Sequence, residues 1–180
     1  MVNMDDVNEI SKRRAEGLFG SSELSNFEVG TTAGLREIHR YLFGGLYPFA
    51  GEIRTQDASK MGFVFVGSAD LPGVLAKIDE MPEGSFGEII AKYVAMNRAH
   101  PFLDGNGQSM RIWLDLILKS RLGKCVEWAR VDKMAYMSAM MWSGSGSVGV
   151  EALLERALTE KIYNHEVFLE GIAQSYRFEE

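Results

Sequence analysis

Residues 100–111 read His-Pro-Phe-Leu-Asp-Gly-Asn-Gly-Gln-Ser-Met-Arg, and the interpretation of the chain starts from them. Gly105 and Gly107 allow the backbone to turn tightly and to approach a ligand without hindrance from a Cβ atom. Asn106 is a good N-cap for a helix that begins at Gly107. The free N–H groups and the positive end of that helix would point into the loop. Such a loop is an anion site that suits a polyphosphate.

Three side chains of the same stretch add chemistry to the anion site. Arg111 lies one turn beyond Gly107 on the same helix face, so its guanidinium can reach phosphates held at the helix start. Asp104 places a carboxylate beside them, and one carboxylate together with substrate phosphates is how proteins usually hold Mg²⁺. His100 has a pKa suited to proton uptake near neutral pH. The stretch therefore predicts a base, a metal-binding carboxylate and a phosphate clamp.

Apolar residues at helical spacing surround this stretch on both sides. Thr31 or Thr32 can cap the first clear helix, which Pro48 and Gly51 close. Pro101 ends the helix before His100, because a proline disfavours the helical conformation of the residue that precedes it. The predicted helices cover residues 35–46, 71–78, 86–97, 107–122, 134–141, 150–159 and 165–179, with a Gly/Ser-rich loop at 143–149.

One segment has a different pattern. Residues 58–67 contain the β-branched and aromatic run Phe63-Val64-Phe65-Val66 and are typical of a short hairpin that turns near Gly62. The chain contains neither an internal repeat nor a Pro/Ser-rich linker. We therefore expect residues 1–180 to form one compact, mainly α-helical domain with one small β-hairpin.

Composition limits the functions that this domain can have. The chain has 180 residues, of which 19 are basic and 25 acidic, so its formal charge is 19 − 25 = −6. This balance argues against direct nucleic-acid binding as the main activity. No apolar run approaches the ~20 residues of a membrane span. The single cysteine, Cys125, cannot form an internal disulfide, and a reducing cytoplasm is the simplest location.

The stretch at 100–111 resembles the signature of the Fic family, histidine-x-phenylalanine-x-(Asp/Glu)-Gly-Asn-Gly-Arg-x-x-Arg. Every specified position matches except one, since Gln108 occupies the position of the first arginine. The upstream segments Leu35–His39, Ala50–Arg54 and Ser59–Phe65 are also similar to the pattern of the family, so the resemblance covers about residues 35–179. It implies a helical bundle of the Fic type.

The resemblance also implies the activity and the residues that perform it. Family members transfer AMP from ATP to a hydroxyl group of a target protein and release pyrophosphate. In this reading His100 is the catalytic base and Asp104 binds Mg²⁺. The ATP-binding residues would be Gly105, Asn106, Gly107, Gln108 and Arg111. Residues 58–67 would form the flap that docks the target, through Lys60, Met61, Gly62 and Phe63. For His39 and His165 we expect structural roles, and Phe63 and Phe65 could instead pack in the core.

A second match lies in residues 165–180. Ser175-Tyr176-Arg177-Phe178-Glu179 resembles the (Ser/Thr)-x-x-x-Glu inhibitory helix that one group of the family carries C-terminal to the domain. The resemblance implies that the Glu179 carboxylate binds Arg111 in place of the γ-phosphate of ATP. Tyr176 then becomes a candidate for self-modification in a movable helix. Family members also assemble into homo-oligomers, so the implied partners are a protein target and further copies of the chain.

Gln108 leaves the level and the direction of the activity open. Glutamine keeps hydrogen-bond donors but lacks the charge and fork geometry of arginine, so we expect weak AMP transfer. One alternative is removal of AMP from a modified protein by the same site. Another is a nucleotide-binding regulatory module with feeble catalysis.

Overall fold

Helix α6 is the centre of the domain. The computed structural model describes residues 3–60 and 62–180, and α6 (Asn106–Leu122) buries most of its residues, among them Trp113 and Ile117. Trp113 Nε1 donates a hydrogen bond of 3.0 Å to the carbonyl of Thr31. Around α6 pack α3 (Thr32–Phe43), α5 (Phe86–Ala99) and α9 (His165–Arg177). The loop that carries the signature is thus attached to the most buried helix.

The remaining elements complete a mainly helical fold, as predicted. Buried apolar side chains from the first helix to the last form one continuous cluster. Among the described residues, none of the helices has the length and apolar character that crossing a membrane requires. The other helices are α1 (Met4–Glu16), α2 (Glu23–Asn26), α4 (Leu71–Asp79), α7 (Lys133–Trp142) and α8 (Val148–Glu155), with 3₁₀ turns at Trp128–Arg130 and Ser143–Ser145.

The predicted hairpin is present and is short. Strands β1 (Ser59–Lys60) and β2 (Phe63–Val64) pair antiparallel, and Gly62 has a φ of 80°, which a turn residue without a side chain adopts easily. Met61, predicted as a flap residue, lies outside the described residues. A second two-stranded sheet, which apolar patterning did not predict, joins β3 (Cys125–Val126) to β4 (Leu158–Thr159).

The structure corrects the ends of three predicted helices, among them the C-terminal one, where α9 ends at Arg177 and Glu179 lies beyond the helix. Helix α3 is capped by the Thr31 side chain, as expected, but it ends at Phe43 rather than at residue 46. Gly44 and Gly45 follow, and Gly45 has a φ of 75°, so the chain leaves the helix before Pro48. Helix α8 begins at Val148, inside the predicted loop, and ends at Glu155, because residues 158–159 pair with β3 instead.

Candidate active site

The loop between α5 and α6 is held in a strained conformation at His100. His100 has a φ of 48°, the left-handed region that is uncommon for residues other than glycine, and it caps the end of α5 before Pro101. Arg54 stabilises this turn, since its Nε donates to the His100 carbonyl at 2.7 Å and its Nη2 to the Ala99 carbonyl at 3.0 Å. Arg54 is buried, and its cation lies where the partial negative charge of a helix end favours it.

The structure corrects the predicted role of Asn106. Helix α6 begins at Asn106 itself, and its N-cap is Gly105, which has a φ of 75°. The Asn106 side chain turns back to Phe102 instead, where Oδ1 accepts from the backbone N–H at 2.9 Å and Nδ2 donates to the carbonyl at 2.8 Å. These two bonds close the loop at the start of α6.

His39 supports the loop from below, in the structural role expected for it. Its Nδ1 accepts a hydrogen bond from the Gly51 N–H at 2.8 Å, so the ring proton lies on Nε2, which donates to the Asp104 carbonyl at 2.9 Å. The ring stacks on Phe102 with centroids 3.9 Å apart. Burial lowers the pKa of His39 to about 4, so the imidazole is neutral near pH 7. A Cβ at Gly105 would lie only 2.5 Å from the Phe43 ring, so the close packing requires glycine there.

Asp104 presents its carboxylate at the surface of the loop. One oxygen accepts from the Tyr47 hydroxyl at 2.8 Å and the other from the Gly105 N–H at 2.7 Å. Each carboxylate oxygen has a further lone pair, so the group can also bind a cation. No cluster of three or more His, Cys, Asp or Glu able to hold a metal occurs among residues 3–60 and 62–180. A metal at Asp104 would therefore need oxygen ligands from a bound molecule, as Mg²⁺ on a nucleotide has.

The His100 imidazole is enclosed and neutral. Phe65, which follows β2, stacks on it with ring centroids 3.7 Å apart and an interplanar angle of 8°. Burial, reinforced by the charges of Lys60 and Arg54, lowers the pKa of His100 to about 4. Among the described groups Nδ1 finds no hydrogen-bond partner. A neutral imidazole has one nitrogen that accepts a proton, so His100 is in the form that a general base needs near pH 7.

Arg111 lies at the bottom of the adjacent cleft and binds α9. Its guanidinium is 3% exposed, and Nε donates to Ser175 Oγ at 2.6 Å while Nη2 donates to the Ser175 carbonyl at 2.7 Å. Nη2 also donates to Glu179 Oε1 at 2.7 Å. Burial alone would raise the pKa of Glu179, but the charge of Arg111 lowers it below the ordinary 4.5. The structure thus brings Ser175 and Glu179 onto Arg111.

Glu179 also touches the start of α6 and the hairpin. A Cβ atom at Gly107 would lie 1.9 Å from Glu179 Oε1, so only glycine lets the carboxylate come this close to the helix start. The second oxygen, Oε2, lies 3.5 Å from Lys60 Nζ. The cleft around this carboxylate is lined by Lys60, Phe63, Phe65, Tyr93, Asn97, His100, Gly107, Met110, Arg111, Tyr136, Met137, Met140, Met141 and Glu179.

Other predicted site residues take different positions. Phe63 and Phe65 line the cleft and pack edge to face at 5.2 Å, and neither belongs to the apolar core. Gln108 is buried in the first turn of α6 and is not among the described residues that line the cleft. The Tyr176 hydroxyl is buried beside Ser11, where α9 packs on α1. It is inaccessible in this conformation, so its modification would require α9 to leave α1.

Sequence reasoning did not single out two residues that shape the site. The sequence pattern places Arg54 in a segment similar to the Fic family and gives no signal for Tyr47. Both act through contacts with residues far along the chain, at separations of 46 and 57 residues. The feature that marks Arg54 is its burial as a charged side chain. Burial is a property of the folded chain and cannot be recognised in a single sequence.

Comparison with known proteins identifies a family and a relative that this chain resembles. Residues 30–118 match the model of the Fic/DOC family. The chain is 27% identical over 190 residues to the protein adenylyltransferase VbhT of Bartonella schoenbuchensis. The aligned region covers 93% of this chain but only 39% of the length of VbhT.

Solved structures of Bartonella effector proteins share the fold. The BepC protein of Bartonella tribocorum, solved with bound AMPPNP, superposes with a TM-score of 0.70 at 17% identity, over 88% of this chain and 89% of that one. The Fic domain of Bep8 from Bartonella sp. 1-1C gives a TM-score of 0.76 at 14% identity, over 90% and 89% of the two chains. At these identities the likeness establishes the fold alone.

Proposed function

Since the chain belongs to the Fic/DOC family, we propose that it is a protein adenylyltransferase, which moves AMP from ATP to a hydroxyl group of a target protein. The observation that carries the proposal is one cleft in which neutral His100 and buried Arg111 flank the start of α6. A base, a cation and free helix amides are what phosphoryl transfer requires of a protein. The name of VbhT, a protein adenylyltransferase, supports the same activity.

In the proposed reaction His100 takes the proton of the target hydroxyl. The hydroxyl oxygen forms a bond to the α-phosphorus of ATP, the bond from that phosphorus to the bridging oxygen breaks, and pyrophosphate leaves with the electron pair. The amides at the start of α6 stabilise the negative charge that develops on the phosphate oxygens. Arg111 binds the terminal phosphate. Asn106 acts indirectly, because its side chain is engaged with Phe102 and holds the loop in shape.

Asp104 is the residue that would hold Mg²⁺ in this reaction. Its exposed carboxylate has free lone pairs, and the metal would obtain its other ligands from the phosphates and from water. The metal would neutralise part of the phosphate charge during transfer.

We further propose that Glu179 inhibits the transfer. Its carboxylate occupies Arg111 and lies against Gly107, where the terminal phosphate of ATP would bind. Productive binding of ATP then requires α9 to move away from α6.

The hairpin is proposed to dock the target, since Val64 in β2 is 75% exposed and a two-stranded sheet leaves an edge for an extended segment.

The proposal is tested with ATP labelled at the α-phosphate in a cell lysate. We expect Glu179→Gly to label proteins at least tenfold more strongly than the parent chain, by analogy with removal of a competing charge-assisted contact worth about 1.5–3 kcal/mol. The pair Glu179→Gly/His100→Ala should lose the labelling. Absence of labelling in Glu179→Gly would contradict transferase activity. Equal labelling by the parent and by Glu179→Gly would contradict only the proposed inhibition and would leave the proposed transfer intact.

The reverse reaction is the alternative that one observation favours. Glu179 lines the same cleft as His100, so its carboxylate could orient a water molecule toward a bound AMP group. The assay presents an AMP-modified protein and measures released AMP. Release by the parent that is lost in Glu179→Gln would favour removal of AMP over its transfer.

A further inference from the structure

Two cationic side chains line the cleft, and they bind the same carboxylate from two elements. Arg111 Nη2 lies 2.7 Å from Glu179 Oε1, and Lys60 Nζ lies 3.5 Å from Oε2. Arg111 belongs to the central helix α6, whereas Lys60 belongs to strand β1 of the hairpin. The two partners also differ in exposure, since the Arg111 side chain is 3% exposed and that of Lys60 is 53% exposed.

The carboxylate of Glu179 marks a built anion site. The start of the 17-residue helix α6 lies against the carboxylate at Gly107, and in the inhibited conformation Ser175 of α9 also binds the buried guanidinium through two hydrogen bonds. Glu179 is the only acidic side chain among the described residues that line this cleft. When it leaves, Lys60 and Arg111 face no acidic side chain among the described residues that line the cleft.

Lys60 and His100 line the same cleft. Its positive charge is one of the causes, after burial, that lower the pKa of His100, so the ammonium group lies within electrostatic reach of the imidazole. Lys60 therefore shares one cleft with the proposed base and contacts the carboxylate that occupies Arg111.

We propose that Lys60 binds the terminal phosphates of the nucleotide together with Arg111 once Glu179 has left. This inference rests on the proposed function and assigns to Lys60 a role in nucleotide binding rather than in docking of the target. A polyphosphate carries more negative charge than the single carboxylate it replaces, so both cations gain from the exchange.

Lys60 contributes to the inhibited state as well as to the nucleotide-bound state. In the parent chain, loss of Lys60 weakens both the hold on Glu179 and the hold on ATP, and the two effects partly cancel. In a Glu179→Gly background only the effect on the nucleotide is left. The loss of ATP affinity caused by Lys60→Gln should therefore be larger in the Glu179→Gly background than in the parent.

The test measures binding by calorimetry, so it does not depend on turnover. We expect Glu179→Gly/Lys60→Gln to bind ATP about five- to twentyfold more weakly than Glu179→Gly, the size of one charge-assisted contact that is partly exposed. AMP lacks the terminal phosphates, so its affinity should not change. Lys60→Arg should restore most of the loss. Lys77→Gln, which removes the same charge from an exposed position of α4, should have no effect.

Each outcome separates this inference from the proposed function. Failure of Glu179→Gly to bind ATP would overturn both. Binding of ATP by Glu179→Gly that Lys60→Gln leaves unchanged would overturn the role of Lys60 alone, and so would equal losses for ATP and AMP. If Lys60→Gln left ATP affinity unchanged but reduced AMP transfer to a protein target, Lys60 would act in docking of the target and the proposed role in nucleotide binding would be wrong.

Discussion

At the scale of single residues, Gln108 is the feature that sets this site apart from the Fic signature. Its side chain is 6% exposed in the first turn of α6. The Gln108 side chain is not among the described residues that line the cleft. Arginine adds length and charge at this position, so in a Glu179→Gly background we expect Gln108→Arg to raise ATP affinity and the rate of AMP transfer about tenfold, the size of one charge-assisted contact. Calorimetry with ATP and transfer of labelled AMP measure the two effects. Gln108→Met, of similar length but uncharged, is the control, and the same gain there would refute an electrostatic cause.

The histidines make stability depend on pH. The pKa of His39 is lowered from 6.5 to about 4 in the fold, so the folded state prefers the neutral ring. Its contribution to the free energy of unfolding is complete above pH 6.5 and is lost as the pH falls toward 4. Between pH 6.5 and 5 the loss should be about 2 kcal/mol, at 1.36 kcal/mol per unit.

Urea denaturation of the parent and of His39→Gln at several pH values measures this contribution. The parent should lose more stability than the variant on acidification below pH 6.5. Burial raises the pKa of Asp115 to about 6, so Asp115 changes stability with pH in the opposite direction to His39. Because both proteins contain Asp115, its contribution cancels in the difference between them, which isolates His39. Parallel pH profiles would argue against burial of a neutral ring.

The candidate site residues of the signature could be named from the sequence because they lie close together in it and their proposed chemistry depends on local spacing. His100, Asp104 and Arg111 needed no knowledge of the tertiary structure. The stack of Phe65 on His100 and the bonds from Arg54 to the His100 turn could not be predicted in this way. They depend on how separate segments pack, and residue type alone does not encode that.

At the scale of elements, the helices with a clear apolar stripe and the hairpin at residues 58–67 were predictable, whereas α1 and the second sheet were not. Helices α5 and α6 have enough turns for their apolar faces to be recognised. The sheet of β3 and β4 has two residues in each strand, too few for an alternating pattern. The early end of α3 depended on the positive φ of Gly45, a choice that the preceding apolar stripe does not reveal.

In the proposed function, helix α9 is the element that controls access of ATP to Arg111. Ile172 is 6% exposed in α9, and we expect Ile172→Ala to lower the free energy of unfolding by about 2–4 kcal/mol. Hydrogen exchange should accelerate first in α9, and labelled AMP transfer should rise.

A matched substitution elsewhere in the core supplies the control. Ile78 in α4 is 3% exposed, so Ile78→Ala should destabilise the domain by a similar amount without raising AMP transfer. Equal increases in transfer from the two variants would mean that general instability, and not the release of α9, activates the site.

At the scale of the whole molecule, the first helix secures the last. Helix α1 packs on both α9 and α3, and Arg14 donates to the carbonyls of Leu42 and Gly44 at 2.9 and 2.8 Å. We expect Arg14→Met to lower the free energy of unfolding by about 1–3 kcal/mol, because it leaves partly buried carbonyls without their donor. Amide exchange in α9 should accelerate as well.

Arg13→Met on the same helix is the comparison for Arg14→Met. The Arg13 side chain is 72% exposed and pairs only with Glu9 at the surface, so its loss should change stability by less than about 0.5 kcal/mol. Similar exchange in α9 for both variants would show that α1 does not secure α9 through Arg14.

The contact between Glu179 and Arg111 has a consequence for how the chain would respond to its surroundings. Inhibitor and substrate would compete for one guanidinium, and the inhibitor is tethered to the same chain, so its effective concentration is independent of the amount of protein. Dilution would not relieve the inhibition. The apparent dissociation constant for ATP would equal the intrinsic one divided by the fraction of molecules in which α9 is open. Under a steady supply of ATP, the packing of one helix would therefore set the rate of the enzyme.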